Sequence, residues 1–342
     1  MSGPSGPAAF VIPFWSDGRP HRLGYLRQAL DSVRAQTDPD VFAVVVDDCS
    51  DSHEDRAELL RWERDDARLR VVLAPDNRGP GRCRNMGVRV AADAGADFVC
   101  FLDADDLTHP DRVRTVRDAL AADAEADLVY SGFVVIDGDG DEVGRDRLIS
   151  SVKIIMDDIE KRPLEGHDCW VSVAVERDNL TIPSALSART ALALEIPFPE
   201  HCRFFEDTHT WLRYSASGAK IAFAPAIPSR YRIPDEKEGS ESRRRAGGIE
   251  AFNRMRVEVT EPGLAEAVDL AVRRGVIDPA EGLAIRTRYL LNVAGILLSE
   301  GTGGVARDLV DQARALSFAD YLRYRDAYPV VAALDPLPPE QP

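Results

Sequence analysis

Five short apolar runs constrain this chain more than any other feature: AFVIP (9–13), FAVVV (42–46), LRVVLA (69–74), FVCFL (98–102) and DLVYSGFVV (127–135). The stretches between them read as helices. Leu23, Leu26, Leu30 and Val33 recur at helical spacing, and 55–66, 82–94 and 111–122 have helical character too. Runs this apolar cannot be left half in water. Alternating with helices, they predict an α/β fold with a largely parallel sheet covered on both faces. Ligands in such sheets bind beyond the carboxyl ends of the strands. Asp47, Asp48 and Asp103 stand at strand ends of that kind.

After residue 135 the rhythm changes. IDGDGDEVG (136–144) reads as a turn-rich hairpin, 150–185 as irregular, 206–217 as a helix and KIAFAP (220–225) as a strand. The polar, glycine-containing stretch 236–248 reads as a linker. Helical patterns follow at 249–259, 263–274, 279–299 and 304–315, and the tail DPLPPEQP is expected to be disordered. The expected organisation is a catalytic domain at 1–235, a linker at 236–248, a helical region at 249–330 and a tail at 331–342. The helical region is expected either to cover the acceptor cleft or to form a homodimer.

Asp and Glu number 58 against 42 Lys and Arg, a net charge of −16. Such a surface argues against nonspecific nucleic-acid binding and against docking on anionic membranes. Five scattered cysteines without a C-x-x-C pair read as buried thiols in a reducing compartment. The opening MSGPSGPAAF has neither a basic start nor a long apolar run, so no signal peptide is expected. YLLNVAGILL is interrupted by Asn292 and Gly295 and is too short to span a bilayer. The expectation is a soluble cytoplasmic protein.

FVCFL runs directly into three aspartates, Asp103, Asp105 and Asp106. Like charges converging at a strand end raise one another's pKa and cost stability. A divalent cation relieves them, and D-x-D supplies the hard oxygen ligands that Mg²⁺ or Mn²⁺ takes alongside substrate phosphates. Asp103 and Asp105 are therefore the candidate metal ligands. Asp106 reads instead as part of a solvated turn, where it or Thr108 caps the helix after Pro110.

Other motifs accompany this one: VIPFWSD, LRQALDSVRAQT, VVVDDCSD, NRGPGRCRNMGV, and FLDADD followed by HPDR. In order and spacing they resemble glycosyltransferase family 2, nucleotide-sugar enzymes of GT-A fold, whose pattern runs VIPVYN, AQT, VDDGS, NxGxxxARNxG, LDxDD and PxRL. The likeness covers about residues 8–235. Phe14-Trp15, Cys49 and Cys83 depart from it. The resemblance implies that Pro13 and Trp15 flank the nucleotide base and that Asp48 accepts a hydrogen bond from uracil. It sets Arg84 and Asn85 near the nucleotide or the acidic loop, Asp103 at the ribose or metal, and Asp105 at the metal. The alternatives are that Trp15 is core and that Arg84 pairs with a nearby aspartate.

RFFEDTHTWLRYSASGAKIAF continues the resemblance, which makes Asp207 the catalytic base. Glu206-Asp207 also suits a helix start, where the macrodipole would lower the pKa of Asp207. Trp211 reads as a core anchor. Ser184 is expected near the donor sugar or acceptor, and His167, Asp168 and Trp170 lie where acceptor specificity would be written. No histidine follows Tyr231-Arg232, so a third protein metal ligand is in doubt.

Rival readings are weaker. GPGRCRN lacks the third glycine of a dinucleotide loop, and IDGDGDEVG puts Glu142 where a calcium loop requires glycine. A haloacid-dehalogenase-type phosphatase also places D-x-D after an apolar strand, but near the chain start. A sugar nucleotidyltransferase would need a G-x-G-T-R loop near residue 15. A non-catalytic glycan-binding protein is a further alternative. The expected reaction is inverting, metal-dependent transfer of one sugar from a UDP-sugar to an acceptor hydroxyl, the acceptor a small product such as an aminocyclitol or polyol, or a growing glycan. No Q-x-x-R-W motif of polymerising relatives is present.

Overall fold

The computed structural model describes residues 4–177, 179–233, 245–328, 331 and 334. Strands β1 (Ala8–Phe14), β2 (Val41–Asp47), β3 (Leu69–Leu73) and β4 (Phe98–Phe101) alternate with helices α1 (Pro20–Arg34), α2 (His53–Asp65) and α3 (Pro80–Asp93). Helix α4 (Arg112–Ala122) leads to β5 (Ala126–Tyr130) and β6 (Phe133–Ile136). Next come α5 (Ser150–Lys161), α6 (Trp170–Val175), β7 (Leu186–Arg189), α7 (Thr190–Glu195), α8 (Glu206–Ala216), β8 (Lys220–Phe223) and β9 (Ser229–Arg232). The chain continues in α9 (Ile249–Arg273), α10 (Pro279–Ser299), α11 (Gly303–Leu316) and α12 (Phe318–Tyr324).

Seven strands form the main sheet in the order β3-β2-β1-β4-β7-β5-β8, and β6 pairs with β9 in a second, two-stranded sheet. Neighbouring strands of the main sheet run parallel except at β7, which is antiparallel to both β4 and β5. Side chains alternate between the faces of a strand, and here both faces are buried. Phe10, Ile12, Val45 and Cys100 meet Leu26, Leu30 and Val33 of α1 and Val113, Val116 and Leu120 of α4. Ala9, Val11, Val44, Val46 and Phe101 join the opposite core, with Val88 of α3 and Trp211 of α8. Helix α3 lies close because Gly87 has no side chain; a Cβ there would stand 2.5 Å from Val11 Cγ1.

The mainly parallel sheet between helices agrees with the sequence reading, and several details correct it. The run 127–135 is two strands in different sheets, because the chain leaves the main sheet at Ser131, whose N–H bonds Ala185 O at 2.9 Å. The stretch 150–185 contains α5 and α6: Val152, Met156 and Ile159 are buried at helical spacing. Strand β7, absent from the sequence reading, is only four residues long and is held by pairing on both sides. The two patterns at 249–259 and 263–274 are one helix with Pro262 inside it. An interior proline costs about 3 kcal/mol, but Val259, Thr260, Gly263 and Leu264 around it are buried, and α9 packs along α8. That packing holds the helix through the missing hydrogen bond.

Leu264, Leu291 and Leu309 of the C-terminal helices share one continuous core with Trp211 and Phe101. YLLNVAGILL lies within α10, and its Leu290, Leu291, Val293, Ala294 and Leu297 are buried. Among the described residues no helix is long and apolar enough to cross a membrane. The expected linker at 236–248 falls mostly, and the expected tail DPLPPEQP wholly, outside the described residues.

Candidate functional site

Beyond the carboxyl ends of β1, β2 and β4 lies a cavity of about 710 Å³. Its lining includes Pro13, Trp15, Asp48, Arg84, Asp103, Asp105 and Asp207, so the residues expected to bind nucleotide or metal or to act as base reach one space.

The two aspartates ending β2 have different surroundings. Asp47 is fully buried, bonds Ser50 and pairs with Arg56 Nε at 3.1 Å. It therefore fixes the turn. Asp48 accepts from the backbone N–H groups of Arg78 at 2.9 Å and Gly79 at 2.7 Å, tying β2 to the loop that opens α3. Gly79 sits at φ +93°, in the region that favours glycine. Between the two motifs Cys49 holds φ +54°, at the position where the resembling family carries glycine. Half-buried Trp15 has the Arg245 guanidinium 4.4 Å from its ring centroid.

The acidic loop is held from several sides. Arg84 is 2% exposed and donates to Asp103 at 2.6 Å and to Glu206 at 2.5 Å. It thus pairs with an aspartate, one of its two readings, and also lines the cavity. Asn85 instead clamps Phe198, donating to its carbonyl at 2.9 Å and accepting from its N–H at 2.8 Å. Arg232 stacks on Tyr25 at 4.4 Å and donates through Nε to Asp105 O at 2.7 Å. Arg112, of HPDR, is fully buried and donates to the carbonyls of Phe101 at 3.1 Å and Leu186 at 2.6 Å, fastening β4 to β7.

Asp106 is not in a solvated turn. It is fully buried and accepts from Ser184 Oγ and from Arg232 N at 2.8 Å. Burial and the Asp105 and Asp103 charges raise its pKa well above the usual carboxylate range. Ser184 is likewise wholly buried; it accepts from Asp103 N at 2.9 Å and does not line the cavity. It shapes the acidic loop and is not placed to touch a ligand there. His167, Asp168 and Trp170 do not line the cavity either: Trp170 is core, and Asp168 pairs with Arg274 at 2.7 Å.

Helix α8 opens at Phe205, which adopts φ +63° and stands 4.6 Å from the Phe252 ring of α9. A bulky residue in that region is uncommon. Its conformation starts the helix so that the Glu206 carboxylate meets Arg84 and Asp207 lines the cavity. Burial raises the pKa of Asp207 although the Thr208 N–H and the Arg84 charge pull the other way. The lowering expected from a helix start is therefore overturned, since desolvation outweighs the dipole. Glu206 is pushed up to about 7 by burial, against the pull of Arg84. One guanidinium faces three acids, and Arg84 itself is held firmly protonated by Asp103 and Glu206 despite its burial. Trp211 is fully buried and donates to Thr181 O at 2.9 Å, the core anchor expected.

Asp103 and Asp105 suit a divalent cation in donor type. Both are half-buried carboxylates. Asp105 is pushed up to about 6 by burial and the Asp103 charge, a repulsion that a cation would relieve. Among the described residues no group of three or more His, Cys, Asp or Glu is set to hold a metal. Two carboxylates, completed by phosphate and water, match the way Mg²⁺ is bound in phosphate sites.

Sequence reasoning offered covering the cleft as one of two roles for the helical region but did not say which residues would do it. Phe252 and Arg256 of α9 and Glu300 after α10 line the cavity. Helical periodicity marks such residues as lying on one face but gives no sign of what that face meets.

The profile of glycosyl transferase family 2 matches residues 10–180, half of the 342-residue chain. An uncharacterized glycosyltransferase of Methanocaldococcus jannaschii is 22% identical over 211 residues, 62% of this chain and 67% of that protein. The succinoglycan biosynthesis protein ExoW of Rhizobium meliloti is 42% identical over 106 residues, but the match spans only 30% of each chain. Two solved structures share the fold. The mannosyltransferase PcManGT from Pyrobaculum calidifontis, in complex with GDP-Man and Mn²⁺, superposes with a TM-score of 0.51 at 19% identity, covering 100% of this chain and 89% of its own. S. aureus TarS 1-349 in complex with UDP-GlcNAc gives 0.51 at 15% identity, covering 95% and 92%. The architecture is that of GT-A glycosyltransferases.

Proposed function

Because the chain belongs to glycosyl transferase family 2, we propose that it is an inverting, metal-dependent glycosyltransferase. It moves a single sugar from UDP to an acceptor hydroxyl, on a small molecule such as an aminocyclitol or polyol. One observation carries this reading: Asp48, Asp103, Asp105 and Asp207, from separate motifs, open on one cavity at the carboxyl edge of the sheet. The nucleotide sugars in the two solved neighbours support a donor of that class for this cavity. The free, mostly buried cysteines accord with a reducing, cytoplasmic compartment.

In this mechanism Pro13 and Trp15 wall the base, and Asp48 accepts the uracil ring N–H through a lone pair that its two backbone bonds leave over. Asp103 and Asp105 would hold Mg²⁺ or Mn²⁺, whose charge, when bound, offsets that growing on the leaving diphosphate. Arg84, which lines the same cavity, fixes Asp103 and Glu206. Asp207 takes the proton of the acceptor hydroxyl. The acceptor oxygen bonds to the anomeric carbon from the face opposite the diphosphate, whose bond to that carbon breaks with its electron pair. No covalent enzyme intermediate forms, and the anomeric configuration inverts. The raised pKa of Asp207 suits a base better than an ordinary aspartate would.

The test is a screen of UDP-sugars by UDP release, with Mn²⁺ and with water as default acceptor. Slow hydrolysis of one of them is expected. Asp207→Asn should keep UDP binding in isothermal titration and cut release about 100-fold or more. Turnover retained by that variant would move the base elsewhere, and no release from any sugar nucleotide would refute the transfer reading.

A further inference from the structure

The cavity is not polar throughout. Beside Tyr231, whose ring meets that of Phe133 edge-on at 5.7 Å, the same space is lined by Phe133, Ile149, Val152, Ile155 and Ile182. Ile149 precedes α5, and Val152 and Ile155 follow at steps of three, so one face of the helix forms an apolar wall of the cavity. Val152 and Phe133 are buried, and Ile149 and Ile155 are partly buried and packed on the core. The acidic end of the cavity is close by: the Tyr231 phenol is raised by burial and by the Asp106, Asp105, Asp103 and Asp207 charges.

Those five side chains have no donor or acceptor to give. A sugar or polyol ring lying against them would lose water from its hydroxyls and gain no partner, which costs free energy for each group. An alkyl or aryl group in the same place would instead be withdrawn from water at a gain. The charged groups that a diphosphate needs are others of the lining, Asp103, Asp105 and Arg84. The donor and an apolar group therefore call on different lining residues, with Asp207 lining the same space.

We propose that the acceptor carries an apolar substituent, alkyl or aryl, joined to the ring that presents the hydroxyl, and that this substituent seats between Phe133, Ile149, Val152, Ile155 and Ile182. The inference rests on the glycosyl-transfer reading and narrows its acceptor class. A free polyol would fill only the polar part of the site.

The experiment measures UDP release from the donor found in the hydrolysis screen, using glucose, galactose, mannose and N-acetylglucosamine, each paired with its n-hexyl β-glycoside. The hexyl member of at least one pair is expected to stimulate release with a kcat/KM tenfold or more above its free sugar. Dodecyl glycosides in phosphatidylcholine vesicles form a further arm. Preference for the vesicle-borne acceptor points to a lipid-linked substrate and preference for the hexyl glycoside to a soluble aglycone, and both support the inference. In Ile155→Asn the hexyl-to-free preference should fall at least fivefold through KM, with kcat little changed. A folding defect would lower both members of a pair alike. Equal use of free sugars and hexyl glycosides, or no stimulation over water by any glycoside, overturns the inference. Saturation-transfer NMR with hexyl glucoside and UDP separates the two readings. Saturation of the chain protons without UDP release from any donor defeats the transfer reading and leaves the apolar subsite standing. Release without saturation of the chain protons does the reverse.

Discussion

Removing Arg84 tests how the site is held. Its guanidinium is 2% exposed and bridges Asp103, 29% exposed, and Glu206, 8% exposed. Breaking a buried pair from one side costs about 3–5 kcal/mol, because the remaining charge has no partner. In Arg84→Ala that charge is chiefly Glu206, since Asp103 can turn to water. Unfolding entropy of roughly 2.1 cal/mol/K per residue over 342 residues is about 0.7 kcal/mol/K. The expected fall in Tm is then roughly 4–7 °C, read by calorimetry at pH 8. Adding Glu206→Gln should restore at least half of it by removing the orphaned charge. The loss should also shrink on acidification. In the wild type the Glu206 pKa is already raised to about 7 from 4.5, so the native state binds more protons than the unfolded chain between those values. Its contribution is therefore fully present below about pH 4.5 and is lost as pH rises through about 7. Without Arg84 the native pKa climbs further, and at pH 5 Glu206 is protonated in the variant. A fall below 1 °C at pH 8, or a double variant less stable than Arg84→Ala, would refute this account.

Other outcomes follow from the same geometry. Asp105→Asn should abolish the gain in UDP affinity that Mn²⁺ gives, measured by isothermal titration with and without the metal; an unchanged gain would remove Asp105 from the metal. Gly263→Ala should destabilise by about 1–3 kcal/mol in denaturant titration, because its Cβ would stand 2.7 Å from His209 Cγ, where α9 crosses α8. Cys49→Gly should stabilise by up to about 1 kcal/mol, since φ +54° strains a side-chain-bearing residue. Equal stability would show that the turn holds Cys49 without strain.

The parallel half of the sheet was legible because its strands are apolar on both faces, and Val44, Val45 and Val46 admit few other readings. Strand β7 was not, since LSAR has no pattern of its own and exists through its neighbours. Asp103, Asp105 and Asp207 were found through motif order, but their surroundings were not. Asp106 looked like a turn residue because its polar partners, Ser184 and Arg232, come from far along the chain.

The local pattern of apolar and acidic residues determined the strands, their helices and the identity of the carboxylates at the strand ends, because those depend on spacing within a few turns of chain. Tertiary structure alone decided that burial, not the helix dipole, governs Asp207, that Arg84 bridges Asp103 and Glu206, and that α5 and α9 supply walls of the cavity. Desolvation and charge pairing depend on which groups stand within a few ångströms, and residues distant in sequence reach that range only in the folded chain.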